Sequence, residues 1–180
     1  ITGIEVPGTV VPSLDAGVAH DAAGNSSTAS TSTDNSVLYA IAPPPHITNW
    51  ASVRTHGGGV GDMAITLNPD GTSTPIVEPR RYGIRKIMIT FDSAVQAADG
   101  NLDTGDIAVT DTDANSYTPT AISLTNGGLT LNVEFDPGMP DQKRYTFDLA
   151  GKLKAAAPPW LPLEGDADCQ VRNLVGDINK

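Results

Sequence analysis

Between positions 129 and 135 the chain reads LTLNVEF, with Leu129, Leu131, Val133 and Phe135 apolar and Thr130, Asn132 and Glu134 polar. A period of two is the mark of a strand with one face on a core and the other in water. The pattern recurs in IRKIMITF (84–91), where Ile87, Ile89 and Phe91 alternate with Lys86, Met88 and Thr90. It recurs again in RYTFDL (144–149), which aligns Tyr145, Phe147 and Leu149, and in GDMAITL (61–67), DIAVTD (106–111) and TAISL (120–124). Turn signals separate these runs: NPDG at 68–71, DANS at 113–116, NGG at 126–128 and DPGMPDQ at 136–142. Asn126-Gly127 accepts the positive φ of a type I′ hairpin turn. Half-wet sheets bury their apolar faces only against each other, so alternation on this scale predicts two antiparallel layers, a β-sandwich, over 47–175. CQVRNLV (169–175) supplies the last strand, with Val171 on one face and Arg172 and Leu174 on the other.

Residues 1–46 differ from the rest. They contain no Lys or Arg, seven Ser and Thr between Ser26 and Thr33, and three consecutive prolines at Pro43 to Pro45. ITGIEVPGTVV and SVLYAI are strand-like, and GNSSTASTSTDNS between them reads as a flexible loop. Two short strands without a core need a partner surface: the edge of their own domain, or a neighbouring molecule by strand addition.

With 11 basic and 21 acidic residues the formal charge is −10. No basic stripe suits a phosphate backbone, since the densest positive stretch is Arg80, Arg81, Arg85 and Lys86, so nucleic acid is not an expected partner. No apolar run approaches the ~20 residues that span a bilayer, so no membrane insertion is expected. The chain starts at Ile1 without a leader pattern, which implies either a removed signal peptide or a piece of a longer protein. The single thiol, Cys169, cannot form an internal disulfide; it is a buried hydrophobe, an intermolecular bridge or a reactive thiol.

The chemical motifs are sparse. THGGGVG (55–61) contains the HGGG run of some hydrolase oxyanion holes, but no G-x-S-x-G elbow accompanies it, and a glycine-rich turn explains it better. His20, His46 and His56 stand in unlike contexts, which argues against a zinc site. The acids sit mostly in turns or on wet faces, so enzymatic activity is not expected. Calcium is the one candidate cofactor: Asp103, Asp106, Asp111 and Asp113 cluster around one strand, and Asp166, Asp168, Asp177 and Asn179 cluster near the C-terminal end, giving hard oxygen ligands at alternating spacing. Turn-forming aspartates produce the same pattern without metal. Asn25-Ser26-Ser27 is an N-glycosylation sequon, and Thr28, Thr31 and Thr33 are available to O-linked sugar.

NWASVRTHGGGVGDMAITLN, VEPRRYGIRKIMITFDSAV and LEGDADCQVRNLVGDINK together resemble the module that precedes a type I dockerin in secreted or surface proteins of planctomycete-like bacteria, over about 47–180. TFDSAV, GDIAVTD and YTFDL are similar to bacterial Ig-like repeats. The resemblance implies an Ig-like module located outside the cell or on its surface, in assembly or adhesion and without catalysis, and it says nothing about residues 1–46; with the alternation, the expected fold is all-β, an antiparallel Ig-like β-sandwich with an extended N-terminal arm. The resemblance also implies that Asp177 and Asn179, in residues 176–180, match the first and third ligands of a calcium loop whose remaining ligands lie beyond Lys180. The expected function is a structural protomer of a fibre or surface assembly, its partners copies of itself, with the arm packed on a neighbouring subunit. The alternative is a carbohydrate-binding or adhesion module for cell-surface polysaccharide, in which Trp160 and Trp50 contact sugar. A Trp in such a proline-rich loop, APPWLPL, more often plugs the end of the sandwich.

Overall fold

The computed structural model of the protein describes residues 7–31, 33–40, 42–67 and 74–175. The chain divides into two compact units, 1–42 and 43–180. The division falls four residues earlier than the arm's expected end at position 46. Pro45 and His46 belong to the second unit because Glu164 N–H donates to the Pro45 carbonyl (3.0 Å) and His46 N–H donates to Asp92 Oδ1 (2.8 Å).

In the first unit β1 (Gly8–Val10) pairs antiparallel with β2 (Val37–Tyr39). Residues 14–30 between them form a hairpin, which takes in the first part of the stretch that the sequence presents as a flexible loop. Backbone bonds join Ser30 to Leu14, Gly17 to Ser27 and Ser27 to Ala19, and the tip turns at Asp21. There Asp21 Oδ1 accepts the N–H groups of Ala23 and Asn25, both at 2.9 Å. Gly24, at φ 86, supplies the left-handed residue that closes a three-residue hairpin loop.

The second unit is all β apart from one 3₁₀ turn among the described residues. Its strands are β3 (Ile47–His56), β4 (Gly61–Leu67), β5 (Ile76–Glu78), β6 (Lys86–Phe91), β7 (Val95–Ala97), β8 (Ala108–Asp111), β9 (Ala121–Thr125), β10 (Thr130–Glu134), β11 (Lys143–Asp148), β12 (Leu153–Ala155) and β13 (Asp168–Asn173). They form a five-stranded sheet, β4-β3-β6-β10-β9, a four-stranded sheet, β5-β13-β11-β8, and a small β12-β7 ribbon. Trp50, Ile87, Ile89, Leu131 and Val133 from the larger sheet meet Val109, Tyr145, Phe147, Cys169 and Val171 from the smaller in one buried core. Phe135 and Phe147 pack edge to face with centroids 6.0 Å apart, the offset that ring quadrupoles favour. This is the expected β-sandwich.

Three local expectations change. The β9–β10 loop keeps positive φ at Asn126 (52°) and Gly127 (66°), but Gly128 and Leu129 extend it beyond a two-residue turn. Leu129 is therefore outside the strand and 41% exposed. The polar face of β10 is covered at Thr130 and Asn132, which are bonded by Asn126 Nδ2 and to Thr125 Oγ1, each at 3.0 Å. The sandwich is not wholly antiparallel either, because β13 runs parallel to β5. Residues 79–85 carry the chain from β5 across to β6 in the other sheet, and this leaves β5 beside a strand of the same direction. The turn at 68–71 lies outside the described residues.

Candidate interaction surface

The 79–85 crossover also holds three of the protein's six arginines. Its base is internal: Glu78 is fully buried, and Arg80, two residues on, turns back onto it. Arg80 N–H and Nε–H donate to Glu78 Oε1 at 3.0 and 2.7 Å, while Arg80 Nη2 and Ser52 Oγ bond Oε2. The guanidinium also donates to the carbonyls of Met63 (2.8 Å) and Ser52 (2.9 Å). Burial pushes the Glu78 carboxyl up, but the bonds from Arg80 and Ser52 outweigh it and hold the group ionised, below its ordinary range. Arg80, part of the densest basic stretch, thus bolts β3, β4 and β5 together.

The tip is presented outward. Tyr82 is 55% exposed and sits at φ 72, a left-handed conformation costing an ordinary residue roughly 1–2 kcal/mol. Three guanidinium carbons approach its ring: Arg81 at 4.7 Å, Arg85 at 5.7 Å and Arg54 at 6.0 Å from the centroid, within cation–π range. Arg54, on β3, reaches under the tip and donates to the carbonyls of Arg81 (2.6 Å) and Gly83 (3.1 Å). Burial, then the charges of Arg80 and Arg85, lower its pKa. Beside the ring lies a cavity of about 580 Å³, lined by Arg54, Arg85, Lys86, Glu134 and Asp136 over apolar Val53 and Phe135. Sequence reading finds the run of charges but misses Arg54, 26 residues upstream of Arg80, and the ring around which the charges gather.

The other expected sites are less concentrated. Trp50 is fully buried, and its indole Nε1 has no hydrogen-bond partner among the described residues, so it is a core residue and cannot contact sugar. Trp160 is 54% exposed and stands on a turn whose N–H donates to the Ala157 carbonyl (3.0 Å), so it plugs nothing. HGGG forms the β3–β4 hairpin tip, with Gly58 and Gly59 at positive φ. Cys169 is in no disulfide and fully buried; burial, then Asp168 and Asp166, pushes its thiol up to about 12, far from thiolate reactivity at neutral pH. Asn25 is exposed at the arm's hairpin tip, where its Nδ2 donates to Asp21 Oδ2 (2.8 Å), and Thr28, Thr31 and Thr33 are exposed beside it.

The aspartates serve turns. Asp103 Oδ1 accepts Gly105 N–H (2.7 Å) and Asp106 Oδ2 accepts Asp103 N–H (2.8 Å). Asp111 accepts the N–H groups of Asp113 (2.8 Å) and Asn115 (3.0 Å) and the Tyr117 hydroxyl (2.9 Å), and Lys143 Nζ stands 3.6 Å away. These bonds, from Asn115 first, hold its carboxyl far below the ordinary range. DTDANS (111–116) is the same turn as DAAGNS (21–26), with Ala114 at φ 62 where the arm has Gly24. No group of three or more His, Cys, Asp or Glu suited to a metal exists among the described residues. Asp166 and Asp168 stand against each other, with Asp148 near Asp168. Asp177 and Asn179 lie outside the described residues.

The Asp166–Asp168 pair gives a pH prediction. The hydrogen bond that protonated Asp168 donates to Asp166, then burial, raises Asp168 to about 6. A raised carboxyl favours the fold below its unfolded pKa near ~4, and that contribution disappears as pH rises through about 6. Asp166→Asn is therefore expected to raise thermal stability at pH 7.5 by a few degrees, an effect of at most ~1 kcal/mol given solvent screening, and to leave pH 4 almost unchanged. Thermal melts at the two pH values check it.

Comparison with protein-family models, with curated proteins and with solved structures finds no match for this chain.

Proposed function

We propose that the protein is a non-catalytic structural protomer of an extracellular fibre or surface assembly, in which residues 1–42 of one molecule pack on a neighbour. The observation that carries this reading is the arm itself. It is a two-stranded ribbon, marginal on its own in water, and it leaves Val11, Leu14, Val18, Val37 and Leu38 between 58% and 77% exposed. A ribbon with uncovered apolar side chains gains from a second surface, and repeated head-to-tail contact of one kind builds an open filament. The resemblance to modules that precede dockerins agrees with a surface location. No helix among the described residues is long and apolar enough to cross a membrane.

Light scattering over a concentration series tests the proposal, comparing the full chain with one starting at Pro43. The full chain is expected to associate with rising concentration and the shortened one to stay monomeric, and electron micrographs of the first should show filaments. Two monomers at millimolar concentration would end the idea.

The exposure of Trp160 favours a second reading, a carbohydrate-binding or adhesion module, because a projecting indole is a stacking platform for sugar. Retention on immobilised polysaccharide should then fall at least tenfold in Trp160→Ala. Equal retention removes this reading.

A further inference from the structure

We propose that the rim formed by Arg54, Arg81, Tyr82 and Arg85 is the acceptor surface for the arm of a second copy of this chain. The inference rests on the assembly reading above and names the surface involved.

Charge selects the occupant. The protein carries −10 overall, yet four of its six arginines fall between positions 54 and 85. Residues 1–46 hold no Lys or Arg and four acids, Glu5, Asp15, Asp21 and Asp34. The most basic surface and the base-free segment therefore belong to one sequence, and copies placed head to tail bring opposite signs together. Within the rim the charges are unequally neutralised. Arg80 is consumed by Glu78 and Arg85 lies 3.2 Å from Asp136, whereas Arg81 has no carboxylate within ion-pair distance among the described residues. Three guanidinium groups around one ring repel one another, and an incoming carboxylate relieves that repulsion with the bidentate geometry arginine favours.

Shape agrees. The cavity beside the ring sets Arg54, Arg85 and Lys86 against Glu134 and Asp136 over the edges of Val53 and Phe135, so an acid fits on its arginine side with an apolar side chain beside it. Leu14-Asp15 on the arm is such a pair, with Leu14 65% exposed. Tyr82 is held at a left-handed φ with its ring outward, and strained backbone persists at surfaces where the presented group is used.

The experiment uses full-length chains in sedimentation velocity at about 50 mM and 500 mM salt. The unaltered chain is expected to associate and to dissociate at the higher salt, where exposed charges are screened. Arg81→Glu is expected to weaken association by roughly tenfold or more. Tyr82→Gly should do likewise while melting at the same or a higher temperature, because glycine accepts the positive φ that tyrosine resists. A Leu14→Ser, Asp15→Ser chain should also associate at least tenfold more weakly. Mixed with Arg81→Glu, it should yield one-to-one dimers and nothing longer, since each supplies the half the other lacks. If Arg81→Glu and Tyr82→Gly associate like the unaltered chain, the surface assignment is overturned and the assembly reading stands. If the unaltered chain is monomeric throughout, both fall.

Discussion

Arg80→Ala is expected to destabilise the sandwich by about 3–5 kcal/mol, because it strips a fully buried carboxylate of its counter-charge. The loss has a pH signature that simple loss of packing lacks. Without the guanidinium, burial acts on Glu78 against only the Ser52 hydroxyl and the backbone N–H of residue 80 and drives its pKa upward, so stability should be highest below the unfolded value near ~4.3 and decline as pH rises. In the native protein the opposite holds, since the depressed Glu78 carboxyl contributes above that value and its contribution is lost on acidification. In urea titrations the stability gap between the native protein and the variant should widen from pH 5 to pH 8. A double replacement, Glu78→Leu with Arg80→Met, should recover most of the loss, because removing both charges removes the desolvation penalty. If Arg80→Ala costs less than ~1 kcal/mol, the pair does not hold β3 to β5 as described.

Gly138→Ala is expected to cost roughly 3 kcal/mol or more, a large effect for one methyl group. A Cβ at that position would lie 2.2 Å from the Tyr82 carbonyl oxygen and 3.2 Å from that of Ile84. Both are backbone atoms, so the methyl group cannot be accommodated by a side-chain rotation. The turn is tied there, because Met139 N–H donates to the Ile84 carbonyl (2.9 Å) and Phe135 N–H to that of Arg85 (2.8 Å). The variant should therefore shift the Tyr82 tip as well as lower the unfolding midpoint, and weaken self-association below its own melting temperature. Gly57→Ala is the control: its added Cβ meets nothing within 4 Å, and the change should stay within ~0.5 kcal/mol.

Much of the sandwich is legible in the alternation of side chains. Ile87, Ile89, Leu131, Val133, Tyr145 and Phe147 face the core as their period predicts, because a pleated strand leaves no other choice once one of its residues is placed. Legibility stops where partners are non-local. Leu129 continues the pattern on paper but not in space, since the Asn126-Gly127 turn draws two further residues into the loop. Nothing local in CQVRNLV tells that it lies between β5 and β11, or that one of those contacts is parallel. The arm's Ser/Thr-rich stretch looks flexible by composition, yet Asp21 and Gly24 encode a specific turn whose signal, D-x-x-[G/A]-N-S, is visible only when 111–116 is set beside it. The arginine surface is half legible. Arg81, Tyr82 and Arg85 announce themselves by proximity, while Arg54 arrives through sheet register and Arg80 is withdrawn by Glu78.

The position of β13 has a mechanical meaning. It is an interior strand, bound to β11 over six residue pairs and to β5 over three. Tension transmitted along the backbone past Val175 pulls this strand lengthwise, so the rungs on both sides are loaded together in shear and none can be peeled singly. An outer strand such as β9 is held on one side by β10 alone, over five residue pairs, so the same pull would meet fewer rungs.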